Sequence, residues 1–169
     1  LVKNIIPKHM DCITAKLVEM GVEVEEHEDT LLVRRNAPLQ KANVKTLPYP
    51  GFPTDMQPQI TVLLSRADGT SKIVEGVTDF RFQYTEELKR MGADITVNGK
   101  MAMVSGPKSL KGTIVRAPDL RGGAALVIAA LMAEGDTVIQ DVQFIDRGYD
   151  NIVGKLQSVG ARIVRVEDD

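Results

Sequence analysis

Asp55, Asp119, Arg121 and Arg147 are the residues whose types and spacing could do chemistry. Asp55 lies in Pro50-Gly51-Phe52-Pro53-Thr54-Asp55-Met56-Gln57, where three turn-formers fix the backbone and Thr54 with Gln57 fits the capping box that opens a helix. A carboxylate there meets free backbone N–H groups and the positive helix end, so it could bind a hydroxyl or take its proton. It could equally do no more than cap the helix. Arg121 follows Asp119 at the start of a second helix, a poor place for a cation unless it holds an anion. Its planar fork, like that of Arg147 in Ile145-Asp146-Arg147-Gly148-Tyr149, matches carboxylate or phosphate, although Arg121 could instead pair with Asp119 or Asp146. Gly122 and Gly123 permit close approach, by a ligand or by packing.

Other chemistry finds little support. Cys12 lies on an amphipathic helix beside Ile13 with no cationic cluster to lower its pKa, His9 and His27 lack metal-ligand spacing, and the glycines form no phosphate-binding fingerprint.

The elements that must position these residues come in repeats. Apolar side chains at 13, 17 and 20, at 84, 88 and 91, and at 152, 156 and 159 each precede a glycine, at 21, 92 and 160, and then alternating strand residues. The glycines are 71 and then 68 residues apart, the mark of internal duplication. Asp55 and Asp119 are 64 apart, while Gly69 with Gly135 and Arg81 with Arg147 are both 66 apart. Each complete unit reads β-α-β-α-β with a further strand, and pseudo-symmetry would bring Asp55 and Asp119 to one surface. The helix from Gly122 to about Met132 has no polar face and must be enclosed, whereas strands such as 72–75 and the hairpin at Asn98-Gly99 alternate. Helices inside and sheets outside follow.

A net charge of -2 from 21 basic and 23 acidic residues gives no concentrated basic face, so neither nucleic acid nor a membrane surface is expected as partner. A single cysteine fits a reducing cytoplasm, and no apolar stretch reaches the ~18 residues of a membrane span. The chain opens on Leu1, inside a unit that lacks its front half, which suggests a piece of something longer.

The stretch 50–57, Pro118-Asp119-Leu120-Arg121 and the stretch 145–149, in this order and spacing, resemble the UDP-N-acetylglucosamine 1-carboxyvinyltransferases of the enolpyruvyl transferase family. The resemblance spans essentially the whole chain. It implies an α/β fold, an inside-out α/β barrel of repeated β-α-β-α-β-β units, with residues 1–169 as a single domain, most of one of two, and repeats at about 1–40 (partial), 41–106 and 107–169. It implies transfer of enolpyruvate from phosphoenolpyruvate to the 3-hydroxyl of UDP-N-acetylglucosamine, the first committed step of peptidoglycan synthesis, hence cell wall biogenesis, cell shape and division, in the cytoplasm and with no metal or organic cofactor. Carried over by motif, Asp55 would bind and deprotonate the sugar hydroxyl, the backbone of Val77 would touch the UDP-sugar, and Arg121 and Arg147 would hold the phosphoenolpyruvate anions. Asp119 would assist near the tetrahedral intermediate, and Arg81 matches a substrate-binding arginine by position.

Pro58 departs from the pattern and puts the local helix entry in question. Cys12 is not the family's mobile-loop cysteine, and the opposite wall of the cleft would belong to the missing N-terminal part of the enzyme. The chain alone is therefore expected to be inactive. Two alternatives stand beside this reading: a 3-phosphoshikimate 1-carboxyvinyltransferase-like enzyme, and a non-catalytic binding domain of the same fold.

Overall fold

Three helix ends built alike set the architecture. In the computed structural model, which describes residues 1–166, α1 (Asp11–Glu19), α3 (Tyr84–Arg90) and α6 (Ile152–Ser158) each stop at a left-handed glycine, with φ of +84° at Gly21, +100° at Gly92 and +96° at Gly160. The glycine N–H bonds to Val18, Lys89 or Gln157, and the next N–H reaches back to Leu17, Leu88 or Leu156. This is the Schellman arrangement, which satisfies the last carbonyls while reversing the chain. After α1 and α3 the chain enters β2 (Glu23–Glu26) and β6 (Asp94–Asn98). After α6 it does not: residues 161–166, expected as a strand around Ile163, are irregular. β2 and β6 exist because hairpin partners, β3 (Thr30–Arg34) and β7 (Met101–Gly106), lie antiparallel to them, and the described residues supply no such partner to 161–166.

The remaining elements are β1 (Val2–Lys3), β4 (Val44–Lys45), α2 (Gln57–Leu64), β5 (Gly69–Val74), β8 (Ile114–Arg116), α4 (Leu120–Met132), β9 (Val138–Gln140) and α5 (Gln143–Asp146). The strands form three sheets, ordered β1-β3-β2, β4-β5-β7-β6 and β8-β9. β4 runs parallel to β5 and β8 parallel to β9, whereas β7 lies between β5 and β6 and is antiparallel to both.

Helices α2 and α4 pack against each other inside this frame. Ile60, Val62 and Leu64 of α2 join Ala125, Leu126 and Ala129 of α4, Ile73 of β5, Leu88 of α3 and Val104 of β7 in one core. The arrangement is α/β with helices inside and sheets outside. Two expectations need correction. α4 is not enclosed all round, since Ile128 and Leu131 reach the surface. Pro58 does not disturb the helix entry, because α2 begins at Gln57 and the proline occupies a first-turn position where a missing N–H costs nothing. Among the described residues, no helix is long and apolar enough to cross a membrane.

Candidate functional site: a carboxylate between two arginines

The loop before α2 is held at both ends. Thr46 donates its N–H to Val74, Leu47 donates to Phe52, and buried Phe52 anchors the turn in the core. Gly51 cannot be exchanged for a larger residue, since a Cβ there would lie 2.5 Å from Leu47 Cβ. A 3-10 turn, Thr54–Met56, then leads into α2. The expected capping box does not form. The Thr54 hydroxyl donates instead to that of Thr78 at 3.1 Å, and the Gln57 amide oxygen accepts from the Tyr84 hydroxyl at 2.8 Å. Long-range partners have captured both side chains.

Asp55 is therefore not a cap. Its Oδ1 accepts from Arg81 Nη2 at 2.6 Å and its Oδ2 from Arg121 Nη2 at 2.9 Å. The carboxylate is half exposed (52%), Arg81 is largely covered (14%) and Arg121 is intermediate (31%). Arg81 also directs Nε at the Thr54 carbonyl, 3.4 Å away. Arg121 donates Nη1 to the Tyr149 hydroxyl at 3.0 Å. That hydrogen bond, with Asp55 in support, pushes the guanidinium pKa further up. One carboxylate between two guanidinium groups leaves a net positive, solvent-facing centre suited to an anion, with a proton acceptor in its middle.

Asp119 plays the capping role that was open for Asp55. Its backbone is extended, and its Oδ1 accepts from the N–H groups of Arg121 and Gly122, both at 2.8 Å. Asp119 is thereby one turn-edge away from Arg121 but pairs with its backbone, not its guanidinium. Gly122 and Gly123 serve packing: added Cβ atoms would stand 2.9 Å from Pro118 Cγ and 2.7 Å from Ile145 Cγ1. Asp146 pairs with Arg165, which lowers its pKa, and so does not compete for Arg121.

The structure brings together Asp55, Arg81, Arg121 and, through the helix cap, Asp119. Arg147 is not joined to them. It is exposed at the end of α5, with its guanidinium carbon 5.6 Å from the Phe144 ring centroid. Val77 lies exposed on the 75–81 loop beside Thr78, with its N–H already given to Glu75 at 2.9 Å, so its carbonyl is the backbone group left for a ligand. Two residues were passed over in the sequence. Tyr149 stands in the very stretch that carries Arg147, and Glu75 falls on the inward side of the alternation Lys72-Ile73-Val74-Glu75, where a charge is out of place. Among the described residues, no group of His, Cys, Asp and Glu side chains is arranged to hold a metal ion.

A solved structure of the enolpyruvyl transferase NikO from Streptomyces tendae superposes with a TM-score of 0.83 at 31% identity, over 90% of this chain and 35% of that one. EPSP synthase from Acinetobacter baumannii shares the fold at a TM-score of 0.65 and 18% identity, over 92% of this chain and 36% of its own. The family model of EPSP synthase (3-phosphoshikimate 1-carboxyvinyltransferase) matches residues 1–156, and the chain belongs to that family. Among relatives named UDP-N-acetylglucosamine 1-carboxyvinyltransferase, it is 55% identical to one from Desulfofundulus thermocisternus over all 169 residues, 70% of that relative's length. Those from Caldanaerobacter subterraneus (54% identical over 99% of this chain) and Clostridium botulinum (52% over 98%) are each covered over only 40% of their length.

Proposed function

We propose that this chain supplies one wall of the active site of a transferase that moves enolpyruvate from phosphoenolpyruvate to the 3-hydroxyl of UDP-N-acetylglucosamine, in peptidoglycan synthesis. The observation that carries the reading is the Asp55 carboxylate held by Arg81 and Arg121 on an open surface. The names of relatives at 52–55% identity supply the acceptor.

In this reading Arg121, joined by Arg147, binds the phosphoenolpyruvate anions. Both Asp55 oxygens are engaged by arginines. An anion that draws Arg121 toward itself frees Oδ2, and that oxygen then takes the proton of the sugar hydroxyl as the hydroxyl oxygen bonds to the enol carbon and the C=C electron pair takes up a proton at the methylene; loss of phosphate from that carbon and of one methyl proton then restores the double bond. Such general-base assistance is worth about 10²–10⁴-fold. The Val77 carbonyl meets the nucleotide sugar, and Asp119 keeps Arg121 at the start of α4 while lying close to the intermediate. The three units, at about 1–40, 41–106 and 107–169, form a single domain, and the opposite wall comes from a preceding part of the same polypeptide, in the cytoplasm and without a metal or organic cofactor.

The test is phosphate release by the complete polypeptide given phosphoenolpyruvate and either UDP-N-acetylglucosamine or shikimate 3-phosphate. Release with the nucleotide sugar alone is expected. Release with shikimate 3-phosphate alone would move the assignment to the activity for which the matched family model is described.

A further inference from the structure

Glu75 is the most deeply buried carboxylate among the described residues, 1% exposed at the end of β5. A buried charge costs several kcal/mol unless hydrogen bonds compensate it, so its surroundings show what it does. All three of its hydrogen bonds converge on Oε1: the Thr46 hydroxyl donates at 2.6 Å, and the N–H groups of Val77 and Thr78 donate at 2.9 Å each. The Thr46 hydroxyl oxygen accepts in turn from Gly76 N–H at 2.8 Å. Three consecutive amides of one turn are thus drawn inward onto a single carboxylate and threonine. There is no slack in the turn, since a Cβ on Gly76 would lie 2.5 Å from the Thr46 carbonyl oxygen.

The turn carries the site. Thr78 meets the Thr54 hydroxyl next to Asp55, and Arg81, six residues after Glu75, grips Asp55 itself. Thr46 opens the loop that delivers Asp55 from the other side. Glu75 therefore ties together, through its side chain, the two loops whose tips form the Asp55–Arg81 pair.

We propose that Glu75 is a positioning residue that fixes the 75–81 turn and so sets Arg81 and Thr54 around Asp55. This rests on the functional reading above only for its kinetic readout. Glu75→Gln can place its amide oxygen where Oε1 stands and keep all three bonds, so it retains at least about a third of wild-type kcat/KM. Glu75→Ala removes the acceptor and lowers kcat/KM by about 30-fold or more, while the melting temperature stays above that of the assay. In an Arg81→Ala background, Glu75→Ala lowers it by no more than about 3-fold further, because the group it positions is already gone.

The assay is phosphate release by the complete polypeptide, with amide exchange at Val77 and Thr78 and the Arg81 Nε–H resonance recorded on the same variants. Multiplicative losses in the double variant, or a Gln variant as impaired as the Ala variant, would overturn the proposal. If the wild type releases no phosphate, the functional reading fails and the resonance decides: moved by Ala and not by Gln supports positioning, unmoved by both rejects it. If Glu75→Ala does not fold, Thr78→Val, which removes the contact with Thr54, takes its place with the same expected non-additivity.

Discussion

Replacing Asp55 with asparagine separates chemistry from stability, and the structure sets both magnitudes. The side chain keeps its size, one oxygen still accepts from Arg81, and the new amide nitrogen turns its hydrogens toward Arg121. Half-exposed ion pairs are screened, at about 0.2–1 kcal/mol each, so Asp55→Asn costs at most about 2 kcal/mol. For a chain of this length that is a fall of about 4–8 °C in melting temperature. Loss of the proton acceptor costs about 10²–10⁴-fold in turnover. The assay is phosphate release by the complete polypeptide with both substrates saturating, beside a thermal melt of this 169-residue chain carrying the same substitution. Turnover within about 3-fold of wild type would remove Asp55 from the chemistry and favour a non-catalytic binding domain. A melting temperature lowered by more than about 15 °C would instead make the carboxylate structural.

Other consequences are open to single measurements. Tyr84 is buried and its hydroxyl pKa is pushed well up by that burial; the unfolded chain ionises near ~10 while the folded one keeps the proton, so stability should fall above about pH 10, by up to ~1.4 kcal/mol per pH unit. Tyr84→Phe should remove that alkaline slope in denaturant melts, at a cost near neutral pH of about 1–3 kcal/mol for the acceptors left on Gln57 and Thr61. Gly122→Val drives methyl groups into Pro118 and Tyr84 and should destabilise by about 3 kcal/mol in the same melts. Arg147→Ala should leave stability within about 0.5 kcal/mol, since the residue is exposed, yet raise KM for phosphoenolpyruvate; an unchanged KM would remove it from the site.

What could be read from the sequence was whatever the chain decides locally. The three Schellman ends are legible because each needs only a left-handed glycine after an amphipathic helix. α4 is legible because the eleven residues 122–132, without a polar side chain among them, admit little else. The failures share one cause, a partner distant in sequence. Thr54 and Gln57 carry a capping signature, but Thr78 and Tyr84 claim them. Residues 161–166 carry strand spacing, but no described strand lies beside them. The choice of cap between the two acids was equally undecidable locally. Asp119 caps because its extended backbone turns the carboxylate onto two amides, whereas a 3-10 turn holds Asp55 within reach of the two guanidinium groups.

Arg121 shows why the distant pairing bears on function. A cation in the first turn of a helix faces the positive end of the dipole, at a cost of about 0.3–1 kcal/mol. Asp119 offsets part of that by accepting from the first free amides, but it leaves the guanidinium unpaired, and it is Asp55, 66 positions earlier in the chain, that supplies the opposite charge. The packing of α2 on α4 brings the two helix starts together, while Gly122 leaves room for Tyr84 of α3. Arg121 is thus stabilised by a contact that a ligand can replace. In the proposed mechanism an incoming anion would substitute for Asp55 at the guanidinium and release the carboxylate in one event, so that substrate binding and activation of the base would draw on the same ion pair. Anion affinity and turnover should accordingly move in opposite directions when Asp55 is neutralised: Asp55→Asn should bind phosphoenolpyruvate more tightly than wild type while turning it over more slowly.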